Sequence, residues 1–226
     1  MQRITMNDRL NRTCSYPAQN GSPGENRSRP FYVPDLLDLT PSNVSLTLEG
    51  QVSSVVGDGL QLEAMAATYF RTIHTWLPVI SEDSYYNQIS QARVQLAPSD
   101  LSLLTLCMFL VCTIPVDGDI PVQTRALHTQ VKSFTAMLEA LGTNSLRMLQ
   151  CRLLLAVFEV GHAMYPAAYI STGASVRAAV ALGANESSSE QLVQVFGDQW
   201  RAEEARRTWQ GITITDRLVY QFYVGM

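Results

Sequence analysis

Between Asp100 and Asp117 the chain runs through LSLLTLCMFLVCTIPV, Leu101 to Val116, without a charged side chain. A helix that is apolar on every side has to be enclosed. This stretch is shorter than the roughly 20 residues that cross a bilayer, so the enclosure has to be protein. Ser99 stands where an N-cap belongs, and Pro115 sets the latest point at which the helix can end. The remaining sequence must supply enough helices to surround this one, and 226 residues with 46% apolar side chains suffice for such a core. A second apolar stretch, Leu153 to Ile170, carries Glu159, His162 and Pro166 and is also expected to be a buried segment of a soluble bundle.

The surrounding pattern is helical. In GLQLEAMAATYFRTIHTWLPVI, the residues Leu62, Met65, Ala66, Tyr69, Phe70, Ile73, Trp76 and Leu77 recur at three- and four-residue spacing, one apolar stripe that Pro78 ends. Ser81 is placed to cap a short helix reaching Arg93. Pro121, a favoured first helical residue, opens a helix that Gly142 stops, and Ser145 to Met164 forms the next. Pro166 opens PAAYISTGASVRAAVALG, whose small residues admit close approach of neighbouring backbones and which Gly183 ends. The polar loop ANESSSEQ leads to a last long helix from near Trp200. With no strand series and no fixed repeat, the expected class is all-α, a multi-helical bundle over residues 60–226. Residues 1–58, rich in Ser, Asn, Pro and Gly, are expected to form a disordered or extended arm and linker. Within them NVSLTLE alternates Val44, Leu46 and Leu48, the pattern of a short strand or a docked extended segment.

A net charge of −4 argues against binding of a polyanion by the chain as a whole. Only residues 1–30 are basic: five arginines against Asp8 and Glu25 give +3 there and leave −7 for the rest. The polar residues 1–11 lack the apolar centre of a signal peptide, so Cys14, Cys107, Cys112 and Cys151 are expected as thiols. Cys107 and Cys112 lie about 140° apart around a helix and cannot grip one ion together. Neither a catalytic nor a cofactor-binding site is expected. His74, His128 and His162 fall on separate helices, and no helical zinc spacing, phosphate loop or nucleophile elbow is present. Glu159 and His162, three apart on one face, read as a satisfied polar pair rather than an acid–base dyad.

The final helix contains EEARRTWQGITITDRLVYQFY. Glu203 and Glu204 suit its first turn, where the helix dipole favours negative charge. Ala205, Trp209, Ile212, Asp216, Val219 and Tyr223 share one face, and Ile214, Leu218 and Phe222 share another. A helix apolar on two faces is buried, and Asp216 would be buried with it. An enclosed carboxylate needs a cationic partner, and Arg206, Arg207, Arg217 and Arg177 are the candidates. Tyr220, Phe222 and Tyr223 have no sequence after them to cover them, the mark of a domain incomplete at its C-terminus or completed by a partner.

EEARRTWQGITITDR resembles the signature of the fungal-specific transcription factor regulatory domain, or middle homology region, in which paired arginines precede a tryptophan and an Asp-Arg pair follows. Arg206, Arg207, Trp209, Asp216 and Arg217 hold those positions, with Gln210 where the family usually has a second tryptophan. TYFRTIHTWLPVISEDSYYNQI is similar to the family's opening helix. EVGHAMYPAAYISTGASVRAAVALGAN is similar to its central helix pair, including Tyr165, Pro166, Arg177, Leu182 and Gly183. The resemblance implies a non-enzymatic regulator acting in the nucleus, with zinc as the family's metal, and with DNA, the transcription machinery or a second copy as partners. DRLNRTCSYP resembles the end of the family's binuclear zinc cluster, with Cys14 as the last thiolate. The other five are missing, and Ile4, Met6 and Asn7 stand where the nearest of them belong. A structural zinc ion takes four ligands, so Cys14 is a remnant ligand only, and this chain alone is expected to bind neither zinc nor, by that route, DNA. Two other readings compete: an interaction or dimerisation module without DNA binding, and a helical enzyme built on Glu159, His162 and Tyr165.

Overall fold

The computed structural model describes residues 40–224 apart from Arg93 and Asp117, with side chains as far as Gln221. These residues fall within one compact unit, 39–226. In chain order the elements are α1 (Pro41–Val55), α2 (Gly59–Arg71), a 3₁₀ turn (Ile73–Thr75), α3 (Glu82–Ala92), α4 (Ser99–Val111), α5 (Val122–Ala140), α6 (Leu146–Gly161), α7 (Tyr165–Leu182), α8 (Ser189–Phe196) and α9 (Gln199–Val224). The fold is all-α; among the described residues the only β pairing is an isolated bridge between Val116 and Asp119.

The uncharged run becomes the centre. α4 is buried continuously from Asp100 to Met108, and α1, α2, α5 and α6 pack around it. α6 is the second hub, against α4, α5, α7 and α9, while α8 rests on α9. α4 ends at Val111, short of Pro115, where Thr113 Oγ1 donates to the Leu110 carbonyl at 2.6 Å. Ile114 and Val116 beyond it are exposed, so the apolar run overstates the helix.

Four local expectations need correction. Pro98 rather than Ser99 takes the N-cap position of α4, and no side chain caps that end. Residues 41–55 form a helix rather than a strand or extended segment. Thr40 Oγ1 accepts from the Asn43 amide, Pro41 opens the first turn, and Val44 and Leu48 are buried four residues apart. Val44 and Leu48 fit a helical period as well as an alternating one, and the capping residues decide between them. The stripe ending at Leu77 is broken at Thr72, whose hydroxyl donates back to the Thr68 carbonyl at 2.6 Å. The chain continues there as a 3₁₀ turn, which leaves Trp76 59% exposed. Finally, the loop after α7 gives way to α8, a two-turn helix with Leu192 buried.

α7 meets its neighbours through Ala168, Thr172, Ser175 and Ala179, a stripe of small residues that allows α6 and α9 to approach closely. It ends at Gly183 with φ 79°, where the left-handed conformation closes the helix and a Cβ would be strained.

Candidate regulatory site

α9 begins at Gln199, with Asp198 Oδ1 accepting from the Arg201 amide at 2.8 Å. Glu203 and Glu204 therefore lie in its second turn, not its first, and side-chain contacts rather than the helix dipole hold them. The buried stripe of α9 is Ala202, Ala205, Thr208, Gly211, Ile212, Thr215 and Val219. Its small members bring the helix down onto α6. A Cβ built on Gly211 would stand 2.7 Å from Leu153 Cδ2 and 3.3 Å from Leu77 Cδ1.

Glu204 points inward. Its Oε1 accepts from the backbone amide of Ser81 at 2.7 Å and from Gln150 Nε2 at 3.2 Å. Gln150, buried on α6, also donates to the Val79 carbonyl at 2.7 Å. One carboxylate thus fastens α9 and α6 to the loop that enters α3, whose first turn is capped by Ser81 Oγ accepting from Ser84. Below this junction Arg147 donates to Asp100 Oδ1 and Gln88 Oε1, both at 2.9 Å. Ser145 donates to Asp100 Oδ2 at 2.8 Å. Together these groups wall a cleft of 320 Å³ among α3, α6, α8 and α9, with Arg201 at its edge and Leu182, Val195 and Phe196 as its apolar side. Asp100 and Arg147 satisfy one another and Glu204 is bonded by the Ser81 amide and Gln150, so the arrangement is suited to fixing the relative position of α3, α6 and α9 and to hydrogen-bonding an occupant of the cleft.

Of the signature positions, Arg206 and Arg207 are brought together. Both donate to Glu203, at 2.8 Å from Arg206 Nε and Nη2 and 2.7 Å from Arg207 Nε. Bonds from Arg207 first and Arg206 second hold the Glu203 carboxyl below its usual range. Trp209 packs half-buried against the core. Asp216 and Arg217 do not join them. Asp216 is exposed and makes no ion pair among the described residues, and the expected burial with an arginine is overturned. Ala205, Ile212 and Val219 of the predicted face are buried, but Thr208 and Thr215 take the inward places expected for Trp209 and Asp216, so Asp216 turns out to solvent.

The enclosed carboxylate belongs to Glu159 instead. It is 0% exposed, and its Oε1 accepts from His128 Nε2 at 2.8 Å and Lys132 Nζ at 2.7 Å. Lys132 also reaches Ser171 on α7 at 3.1 Å. Burial raises the Glu159 carboxyl, but the bonds from His128 and Lys132 outweigh it and hold the group below its usual range. His162 is not its partner; His162 Nδ1 bonds to the Phe158 carbonyl at 2.8 Å. His74 lies edge-on to Phe70, and burial lowers its pKa. The signals that could have pointed to these groups were slight: a lone lysine in the sequence, and two adjacent glutamates that a helix must point in different directions.

Cys107 and Cys151 are buried thiols and Cys112 is half-buried. Among the described residues no group of three or more His, Cys, Asp or Glu could hold a metal ion, so zinc finds no donor set there, and Cys14 lies outside the described residues. No helix among them is long and apolar enough to cross a membrane. The family profile of the fungal-specific transcription factor domain matches residues 66–221. Transcription factor BOA15 of Botryotinia fuckeliana is 37% identical over 157 residues, 69% of this chain and 83% of its own length. No solved structure matches significantly.

Proposed function

Because the chain belongs to the family of fungal-specific transcription factor domains, we propose that it is the regulatory, non-enzymatic part of a nuclear transcription regulator and that the α3–α6–α9 junction sets its activity. The observation that carries this reading is Glu204. A single carboxylate within the signature stretch fastens three elements over an accessible cleft, so a partner or effector that displaces it would move α9 and the arginine pair on its outer face. Zinc and DNA enter only through the family. Cys14 supplies one thiolate where a structural site needs four, and the acidic charge of residues 31–226 opposes duplex binding.

The test joins the chain to a heterologous DNA-binding domain with a reporter in a fungal nucleus. Expression should differ severalfold from that given by the DNA-binding domain alone, in an activating or a repressing format, and Glu204→Ala should abolish the difference. A fusion as inert as the isolated DNA-binding domain in both formats would refute the proposal. The purified chain without a fusion is expected to carry less than one zinc per molecule by elemental analysis.

A further inference from the structure

A second cavity, of 380 Å³, lies away from the Glu204 cleft, where the end of α6, the 3₁₀ turn and the C-terminal half of α9 meet. Trp76, Leu77, Val157, Ile214 and Leu218 are among its apolar wall, and none of its lining residues is an Asp, Glu, Lys or Arg. Trp76 and Ile214 are each 59% exposed at its rim, large apolar groups left open to water. A charged ligand would enter such a site without a counter-ion, at a heavy desolvation cost. The volume is at the small end of the range for ligand pockets, about 300–1,000 Å³.

Besides the indole N–H of Trp76 at the rim, the wall has two polar side chains, and one is already used: Thr215 Oγ1 donates to the Gly211 carbonyl at 2.8 Å. The other is His162. Its Nδ1 lies 2.8 Å from the Phe158 carbonyl oxygen, which can only accept, so Nδ1 carries the proton. The opposite ring nitrogen, Nε2, is then the acceptor of the neutral imidazole. The Phe158 ring lies against the imidazole with centroids 4.1 Å apart, tilted by 36°, and the turn that follows is fixed by Ala163 at φ 55°. His162 thus offers one hydrogen-bond acceptor, Nε2, to a wall that is mostly apolar.

We infer that this cavity is a binding site for a small uncharged aromatic or alicyclic molecule bearing one hydroxyl, which donates to His162 Nε2 while the ring lies among Trp76, Ile214 and Leu218. The site is separate from the Glu204 junction, and its test is a binding measurement that does not depend on transcriptional output.

The probe is 1-naphthol, titrated into the purified chain by calorimetry, with 1-methylnaphthalene and 1-naphthoate as controls. Saturable one-to-one binding of 1-naphthol is expected, roughly two- to tenfold tighter than 1-methylnaphthalene, the increment of one neutral hydrogen bond, with 1-naphthoate weakest. Gly161→Leu is the blocking variant, because Gly161 lines the cavity and a Cβ there meets nothing within 4 Å. It should keep the melting profile and lose binding at least tenfold. His162→Phe keeps an aromatic ring against Phe158 and should bring 1-naphthol down to the affinity of 1-methylnaphthalene. No saturable binding, binding unchanged in a folded Gly161→Leu, or a hydroxyl preference that survives His162→Phe would each overturn the proposal.

Discussion

Glu203 and Glu204 are neighbours of identical charge turned 100° apart by the helix, and their removal should have unequal consequences. Glu204→Ala deletes the acceptor of the Ser81 amide and of Gln150 Nε2. Gln150 keeps its bond to Val79, so the group left without a partner is the Ser81 amide at the entrance to α3. A hydrogen bond to a charged acceptor contributes about 1.5–3 kcal/mol. Partial exposure of Glu204 and the surviving Gln150 bond place the expected loss near 2 kcal/mol. For a unit of this size about 1 kcal/mol moves Tm by ~2–4 °C, which gives a fall of ~4–8 °C. Glu203→Ala deletes three bonds from two arginines, but both guanidinium side chains are 47% exposed. Solvent-screened pairs of this kind contribute about 0–1 kcal/mol, at most ~4 °C. Thermal denaturation followed by far-UV circular dichroism, in low and in high salt, separates the two. The Glu203 effect should shrink with salt and the Glu204 effect should persist. If Glu203→Ala were as costly as Glu204→Ala, or if the Glu204→Ala loss vanished in salt, the assignment of Glu204 as the interior fastening would be wrong.

Glu159→Gln should cost about 3 kcal/mol in chemical denaturation, the lower end for removing one partner of a buried pair, because Lys132 is 35% exposed and can turn to water. The Glu159 carboxyl is held below its usual range in the fold; its contribution is therefore complete above the unfolded carboxylate pKa of about 4.3 and is lost as pH falls through the folded value. The stability gap between the parent and Glu159→Gln should accordingly be flat at neutral pH and close in acid; a gap that widened in acid would reverse the sign of the argument. Ala163→Gly should raise Tm by ~1–4 °C, since a left-handed L-residue costs about 1–2 kcal/mol and glycine returns about 0.5–1 of that as entropy. Gly211→Ala should destabilise by about 1 kcal/mol in denaturant titration: overpacking against Leu153 costs about 1–3 kcal/mol, and the gain in helix propensity offsets about 1. An unchanged midpoint would mean that α6 yields without strain.

The central helix was legible because an uncharged run of that length admits one environment, and most helix ends were legible because Pro121, Gly142, Ser145 and Gly183 leave the backbone few alternatives. α9 was harder, and the reason is physical. A reading by hydrophobicity takes Trp209, Ile214 and Leu218 as candidates for the core, yet a long helix lying close across α6 needs small residues on its inner side, and Ala202, Ala205, Thr208, Gly211 and Thr215 supply them. Bulk on that face would crowd the facing helix: a Cβ at Gly211 alone would already press on the Leu153 and Leu77 side chains. Once the small stripe faces inward the other assignments follow from the helical period. Glu204 turns in toward Ser81 and Glu203 turns out toward the arginines; Asp216, one position past the buried Thr215, reaches solvent. Ile214 and Leu218 fall beside the stripe rather than in it. They become the half-covered wall of the cavity that also holds His162, which is why the second apolar face of α9 reads as core in the sequence and stands open in the fold.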